Sequence, residues 1–141
     1  MTPVIAIATA IVFTWLGMVV AISFIEAPLK FRAPDVTVRI GLGIGRIVFR
    51  ALNRLEVGFA AILLATILIN GTTGPTAIAA IVAIAILTTQ LVVVRPRLNR
   101  RSDRVLAGEE LPRSRGHIWY VALESAKALC LVATGVLLLT T

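Results

Sequence analysis

Charge is scarce in this sequence. Only 15% of its 141 residues are Asp, Glu, Lys or Arg, against about 25% in an ordinary soluble domain. The single cysteine, Cys130, excludes an internal disulfide. With one histidine, His117, and no cysteine cluster, the common closed zinc sites are excluded too. What remains is strongly apolar: 58% of residues are hydrophobic and the mean hydropathy is +0.96. The charges fall in two blocks separated by long uncharged runs, as in a polytopic membrane protein.

Residues 4–25 carry no charge and are long enough to span a bilayer. Met-Thr-Pro precedes them without a basic side chain, so they read as a retained helix rather than a signal peptide. Glu26, Pro28 and Pro34 are expected to end this span and open a polar segment. Gly41, Gly43 and Gly45 follow, with no strand before them. The glycines therefore read as a place for close helix approach or a flexible lead into the next span, not as a phosphate loop. A second span is expected at about 47–69, with Arg46, Arg50, Asn53, Arg54 and Glu56 in its first turns. Asn70-Gly71-Thr72-Thr73-Gly74-Pro75 reads as a tight turn with Pro75 in the first turn of the next helix. The third span is expected at about 75–94, where Thr88, Thr89 and Gln90 form the only polar cluster. A polar connection containing Glu109, Glu110 and Arg113 leads to a fourth span at about 118–139.

The fold class expected is all-α: one integral membrane domain forming a bundle of four transmembrane helices. Of 14 Lys and Arg, 13 lie between residues 30 and 115, in the connections between spans one and two and spans three and four or in the adjoining turns. The positive-inside rule then puts both basic connections in the cytoplasm and both termini outside, in a plasma (inner) membrane. The net charge of +7 reads as contact with anionic headgroups, through Arg95, Arg97, Arg100, Arg101 and Arg104, and not as nucleic-acid binding. Because four short spans enclose little interior, a homo-oligomer is expected.

At 100° per residue, His117, Tyr120, Glu124 and Lys127 share one narrow arc of the last span. Lys127 falls roughly 15 Å along the helix from His117, where an unpaired charge is costly and therefore suggests function. The stripe has a counterpart. Residues 46–56 align with 117–127, pairing Arg46 with His117, Asn53 with Glu124 and Glu56 with Lys127. Ala27-Pro28 through Asp35 likewise align with Arg95-Pro96 through Asp103. Two parallel helical-hairpin repeats, about 4–69 and 75–139, are expected to face their polar stripes across a pseudo-two-fold axis. Glu56 and Lys127 would then form a buried ion pair flanked by Asn53 and Glu124, with Glu26, Tyr120 and His117 near a cytosolic-side vestibule.

Three carboxylates on three helices (Glu26, Glu56, Glu124), with a histidine and a tyrosine, suit cation binding or proton relay. The spacing of helical di-iron sites is absent and Lys127 repels a metal, so neither a metal nor any cofactor is expected. The leading functional expectation is ion- or proton-coupled, or small-ligand, transport or binding. One alternative is a membrane enzyme acting on a lipophilic substrate, with Glu124 or His117 as base. Another is a structural subunit whose buried charges fix helix register. Trp15, Trp119 and Tyr120 read as belt or packing aromatics.

Ala27-Pro28 with Phe31 after the first span, Pro96 after the third, and a polar-headed last span beginning at His117 carry a resemblance. The chain resembles the small four-helix membrane proteins related to the eukaryotic transmembrane protein linked to cisplatin resistance. It is also similar, more weakly, to anthrone oxygenase-like membrane proteins, through Pro96-Arg97-Leu98-Asn99. The Trp-Asn pair of the latter group reads Trp119-Tyr120 here. The resemblance implies a four-helix membrane fold, and no family site is carried over to residues of this chain.

Overall fold

Helix boundaries follow local chemistry. The computed structural model of the chain describes residues 1–109 and 115–141. Among the described residues there are four helices long and apolar enough to cross a membrane: α1 Pro3–Arg32, α2 Val38–Asn70, α3 Gly74–Leu106 and α4 Gly116–Leu139. The Thr2 hydroxyl caps α1 by accepting the Ile5 N–H at 3.2 Å, with Pro3 in the first turn. Thr37 caps α2 in the same way through Ile40 N–H, also at 3.2 Å. At the far end of α2, Gly71 turns left-handed (φ 66°), and Thr72 N–H closes onto Ile67 O at 3.0 Å. Pro75 then lies in the first turn of α3, as expected.

The helices outrun the apolar spans at the basic end. α1 continues past Pro28 instead of stopping at Glu26. α2 begins at Val38, so Gly41, Gly43 and Gly45 are helical. α3 runs through Pro96 to Leu106 and ends where Gly108 takes a φ of 96°. The same device carries α1 and α3 past their prolines: a π-helical stretch, Val20–Glu26 in α1 and Gln90–Val94 in α3. Ala27 N–H donates to Ile22 O and Arg95 N–H to Gln90 O, each five residues back. The widened turn relieves the clash between a proline ring and the carbonyl four residues earlier. The part of the connection holding Glu110 and Arg113 lies outside the described residues.

α1 packs on α2 and α4, and α3 packs on α4 and more lightly on α2. α2 and α4 therefore face each other across a diagonal. The core is built from Val12, Trp15, Val19, Leu63, Ala80, Ala83, Leu87 and Leu131. Buried positions of α1 (Ala8, Val12, Trp15, Val19) recur in α3 68 residues on (Thr76, Ala80, Ala83, Leu87). Buried positions of α2 (Glu56, Ala60, Leu63, Ile67) recur in α4 71 residues on (Lys127, Leu131, Thr134, Leu138).

Two glycines mark close approaches. A Cβ on Gly41 would run into the Phe31 ring, and one on Gly135 would sit 2.6 Å from the Phe13 ring of α1. Gly135→Ala is expected to destabilise the bundle by about 1–3 kcal/mol, read as a lower unfolding midpoint in detergent. Adding Phe13→Ala should remove most of that penalty. Gly58→Ala, where the added methyl meets open space, should lose nothing.

Candidate functional site

The inner face of α4 repeats at i, i+3 and i+4 through Tyr120, Glu124, Lys127, Leu131, Thr134 and Leu138, all buried. The Lys127 side chain is wholly enclosed. Its ammonium hydrogen-bonds the Glu56 carboxylate of α2 and donates to Gln90 Oε1 of α3 at 2.9 Å. It also contacts Glu124 Oε1, one turn back on α4, at 2.6 Å, in a direction that makes an ion contact but not a hydrogen bond. Glu56 Oε2 takes a second donor, Trp15 Nε1 of α1, at 2.8 Å. The Ser23 hydroxyl of α1 donates to Glu124 Oε2 at 2.9 Å. Five polar side chains from four helices thus meet around one ammonium, with two carboxylates against one cation. Glu56 Oε1, Gln90 Nε2 and Glu124 Oε1 accept or donate no hydrogen bond among the described residues.

The expected Glu56–Lys127 proximity is present, but its surroundings differ from expectation. Asn53 does not flank the pair. It turns toward a groove between α2 and α3, because it lies about 60° around α2 from Glu56. Its place is taken by Gln90 and Trp15. Trp15 is fully buried and hydrogen-bonded, not a belt residue, whereas Trp119 is 66% exposed. Glu26 stays outside the cluster, 3.7 Å from Lys30 one turn on. His117 is exposed at the rim. Arg95, expected among the headgroup contacts, folds inward: its guanidinium carbon lies 4.5 Å from the Tyr120 ring centroid and 4.7 Å from that of Phe49. The two rings meet edge to face at 5.8 Å. Arg97, Arg100 and Arg104 point outward, Arg104 pairing with Glu109 at 2.7 Å. Arg101 is half-buried and lines the cavity described below.

Gln90 and Trp15 had a readable signal. The hydroxyls of Thr88 and Thr89 fold back onto the carbonyls four residues earlier, which a glutamine amide does not do so readily. Gln90 alone in its cluster needed a tertiary partner. Trp15 sits mid-span, away from either interface. Ser23 carried no signal, since a serine in an apolar helix usually bonds its own backbone.

Above the cluster, at the basic end, opens a cavity of about 690 Å³ lined by all four helices. Its floor is Glu124 and Tyr120, and its walls include Phe24, Phe31, Leu42, Phe49 and Val121. Lys30, Arg46, Arg95 and Arg101 stand around its upper part, with His117 at the rim. Phe24 of α1 and Val121 of α4, 39% and 41% exposed, line the cavity on the side where these two helices meet. Lys127, Glu56, Gln90 and Trp15 do not line the cavity. The arrangement can hold a small amphiphilic molecule over a carboxylate that is ion-paired below and, though only 1% exposed, lines the cavity floor beside Tyr120. Comparison with protein-family models, with curated proteins and with solved structures returned no match.

The cluster's asymmetry is testable. Lys127→Met leaves two buried carboxylates facing each other and is expected to cost about 3–5 kcal/mol. Glu56→Gln should cost clearly less, because Lys127 keeps Glu124 and Gln90. Unfolding midpoints in detergent separate the two; equal losses would contradict the geometry.

Proposed function

We propose that the protein is a multi-pass membrane protein that binds a small, largely apolar ligand in the four-helix cavity, with Glu124 as its polar anchor. The observation carrying this reading is the position of Glu124: one edge rests on Lys127 and Ser23, and the same residue floors a cavity of about 690 Å³ with largely apolar walls. A purely structural ion-pair network would have no need of that space. Coupled transport follows naturally, since a ligand cation or a proton at Glu124 competes directly with Lys127 for the same carboxylate. A membrane enzyme on a lipophilic substrate is the second reading, favoured by Tyr120 and His117 lining the same apolar space.

The architecture proposed around this site is two parallel hairpin repeats. Its support is the pair of π-helical turns ahead of Pro28 and Pro96 and the burial patterns that recur 68 and 71 residues apart. The bilayer is the plasma (inner) membrane, with the termini outside, the basic helix ends in the cytoplasm and anionic headgroups against Arg97, Arg100 and Arg104. A homo-oligomer is compatible with the site but not required by it, because one chain supplies every wall.

Two measurements test the reading. In a Cys130→Ala background, a water-soluble maleimide should label Val121→Cys but not Leu131→Cys, which sits in the closed core. Native mass spectrometry of the wild type from mild detergent should show a retained small molecule that Glu124→Gln and Val121→Trp both lose. An unlabelled Val121→Cys, or no retained molecule that depends on these residues, would return the cluster to a structural role. For topology, alkaline phosphatase fused after Thr141 should be active and fused after Ala107 inactive.

A further inference from the structure

A second cleft lies at the basic end, between α2 and α3, with a volume of about 220 Å³. Its lining holds Arg50, Asn53 and Arg54 of α2 and Arg95 and Asn99 of α3, closing on apolar Val57 and Leu91. No carboxylate lines it. Arg46, at its upper edge, is paired with Asp103. Among the described residues, Arg50 and Arg54 have no acidic partner, and the side-chain amides of Asn53 and Asn99 make no hydrogen bond. Two buried nitrogens of Arg95, Nε and Nη2, also lack one. Arg50 and Arg54 are exposed, and cations gathered in an open cleft without counter-charge are a binding site for an anion.

Under the residue correspondence of the two halves, this cleft is the counterpart of the lateral part of the large cavity. Arg50 corresponds to Val121, Asn53 to Glu124, Arg95 to Ala27 and Asn99 to Phe31, and all four counterparts line that cavity. One position has kept or gained cations and amides; the other holds apolar groups and a carboxylate. At these four positions the two clefts present different chemistry.

Depth decides what the anion is. Arg50 and Arg54 stand 20 and 16 residues before Asn70 on one continuous helix, about 30 and 24 Å from its far end. With a hydrocarbon core about 30 Å thick, that places the Arg50 backbone at the hydrocarbon edge on the basic side and that of Arg54 about 6 Å inside it, from where both long side chains reach up to the phosphates. Val57 is 51% exposed just beneath them, where acyl chains would leave the cleft along α2 and α3. We propose that the α2–α3 cleft is a headgroup site for an anionic glycerophospholipid, with Arg50 and Arg54 on the phosphate and Asn53 and Asn99 on the glycerol or headgroup hydroxyls. The cleft shares Arg46, Phe49, Arg95 and Asn99 with the ligand cavity, but Arg50, Arg54 and Val57 line the cleft and not the cavity, so variants at these three test this reading apart from the other.

Native mass spectrometry of detergent-purified protein, titrated with phosphatidylglycerol or phosphatidylcholine, reads the site directly. Phosphatidylglycerol should bind as discrete adducts and phosphatidylcholine should bind far less. The double variant Arg50→Gln, Arg54→Gln should weaken the first phosphatidylglycerol adduct by roughly 10- to 30-fold. Val57→Trp, which obstructs the apolar exit while leaving the charges, should weaken it as well. Arg32→Gln, Arg39→Gln removes as much charge from exposed positions at the basic ends of α1 and α2, outside the cleft, and should have little effect. Equal losses in that control would show diffuse electrostatics and overturn the proposal. Unchanged binding in the Arg50/Arg54 variant would overturn it too, as would displacement of the lipid by millimolar inorganic phosphate alone, which would make the occupant a free anion.

Discussion

A fully buried lysine is among the costliest groups a helical bundle can enclose, and everything around Lys127 is arranged to meet that cost. Its ammonium has a carboxylate from α2, a carboxylate from its own helix and an amide from α3, while Trp15 of α1 holds the first carboxylate in place. Because each helix contributes, sliding or rotating any one of them by a residue would strand a charge in a low-dielectric interior. Apolar packing alone cannot impose such a constraint here: Ala, Val, Ile and Leu recur along every helix, and many alternative registers would bury similar surface. The ion cluster selects one register among them.

The same cluster shapes the chemistry at the basic end. It closes the bundle's centre, and among the described residues a large open space lies above it, where the helices continue past their apolar limits. Two π-helical turns make that continuation feasible by carrying α1 and α3 across Pro28 and Pro96. The surplus of one carboxylate over one ammonium leaves Glu124 shared between the cluster and the cavity. Glu56, held by both Trp15 and Lys127, is committed to the interior. Glu124, held by Ser23 and in ion contact with Lys127, also lines the cavity floor beside Tyr120.

The lateral clefts divide the remaining charge. On the α1–α4 side, aromatic and aliphatic groups surround Glu124 and Tyr120. On the α2–α3 side, arginines and asparagines surround an apolar notch. Arg95 lies between the two, against Phe49 and Tyr120, and lines both. A guanidinium on aromatic faces is partly desolvated yet keeps its in-plane donors free, which suits a residue shared by two clefts.

Composition and periodicity alone determined that the chain has four long apolar helices, and the offset between its halves already brought Glu56 toward Lys127. These features were legible because they depend on repeating local patterns: runs of uncharged residues, capping threonines, a glycine-centred turn. The helix ends at the basic side were not, because proline is read as a stop unless the hydrogen-bond pattern around it is known. Nor was the environment of the ion pair. Asn53 was aligned with Glu124 by sequence offset, but an offset says nothing of rotation about the helix, and only the packing of α2 against α3 turned it away. Gln90, Trp15 and Ser23 entered the cluster because all four helices converge around Lys127. That convergence is a property of the tertiary arrangement, since no spacing along a single helix encodes what the neighbouring helix presents at the same height.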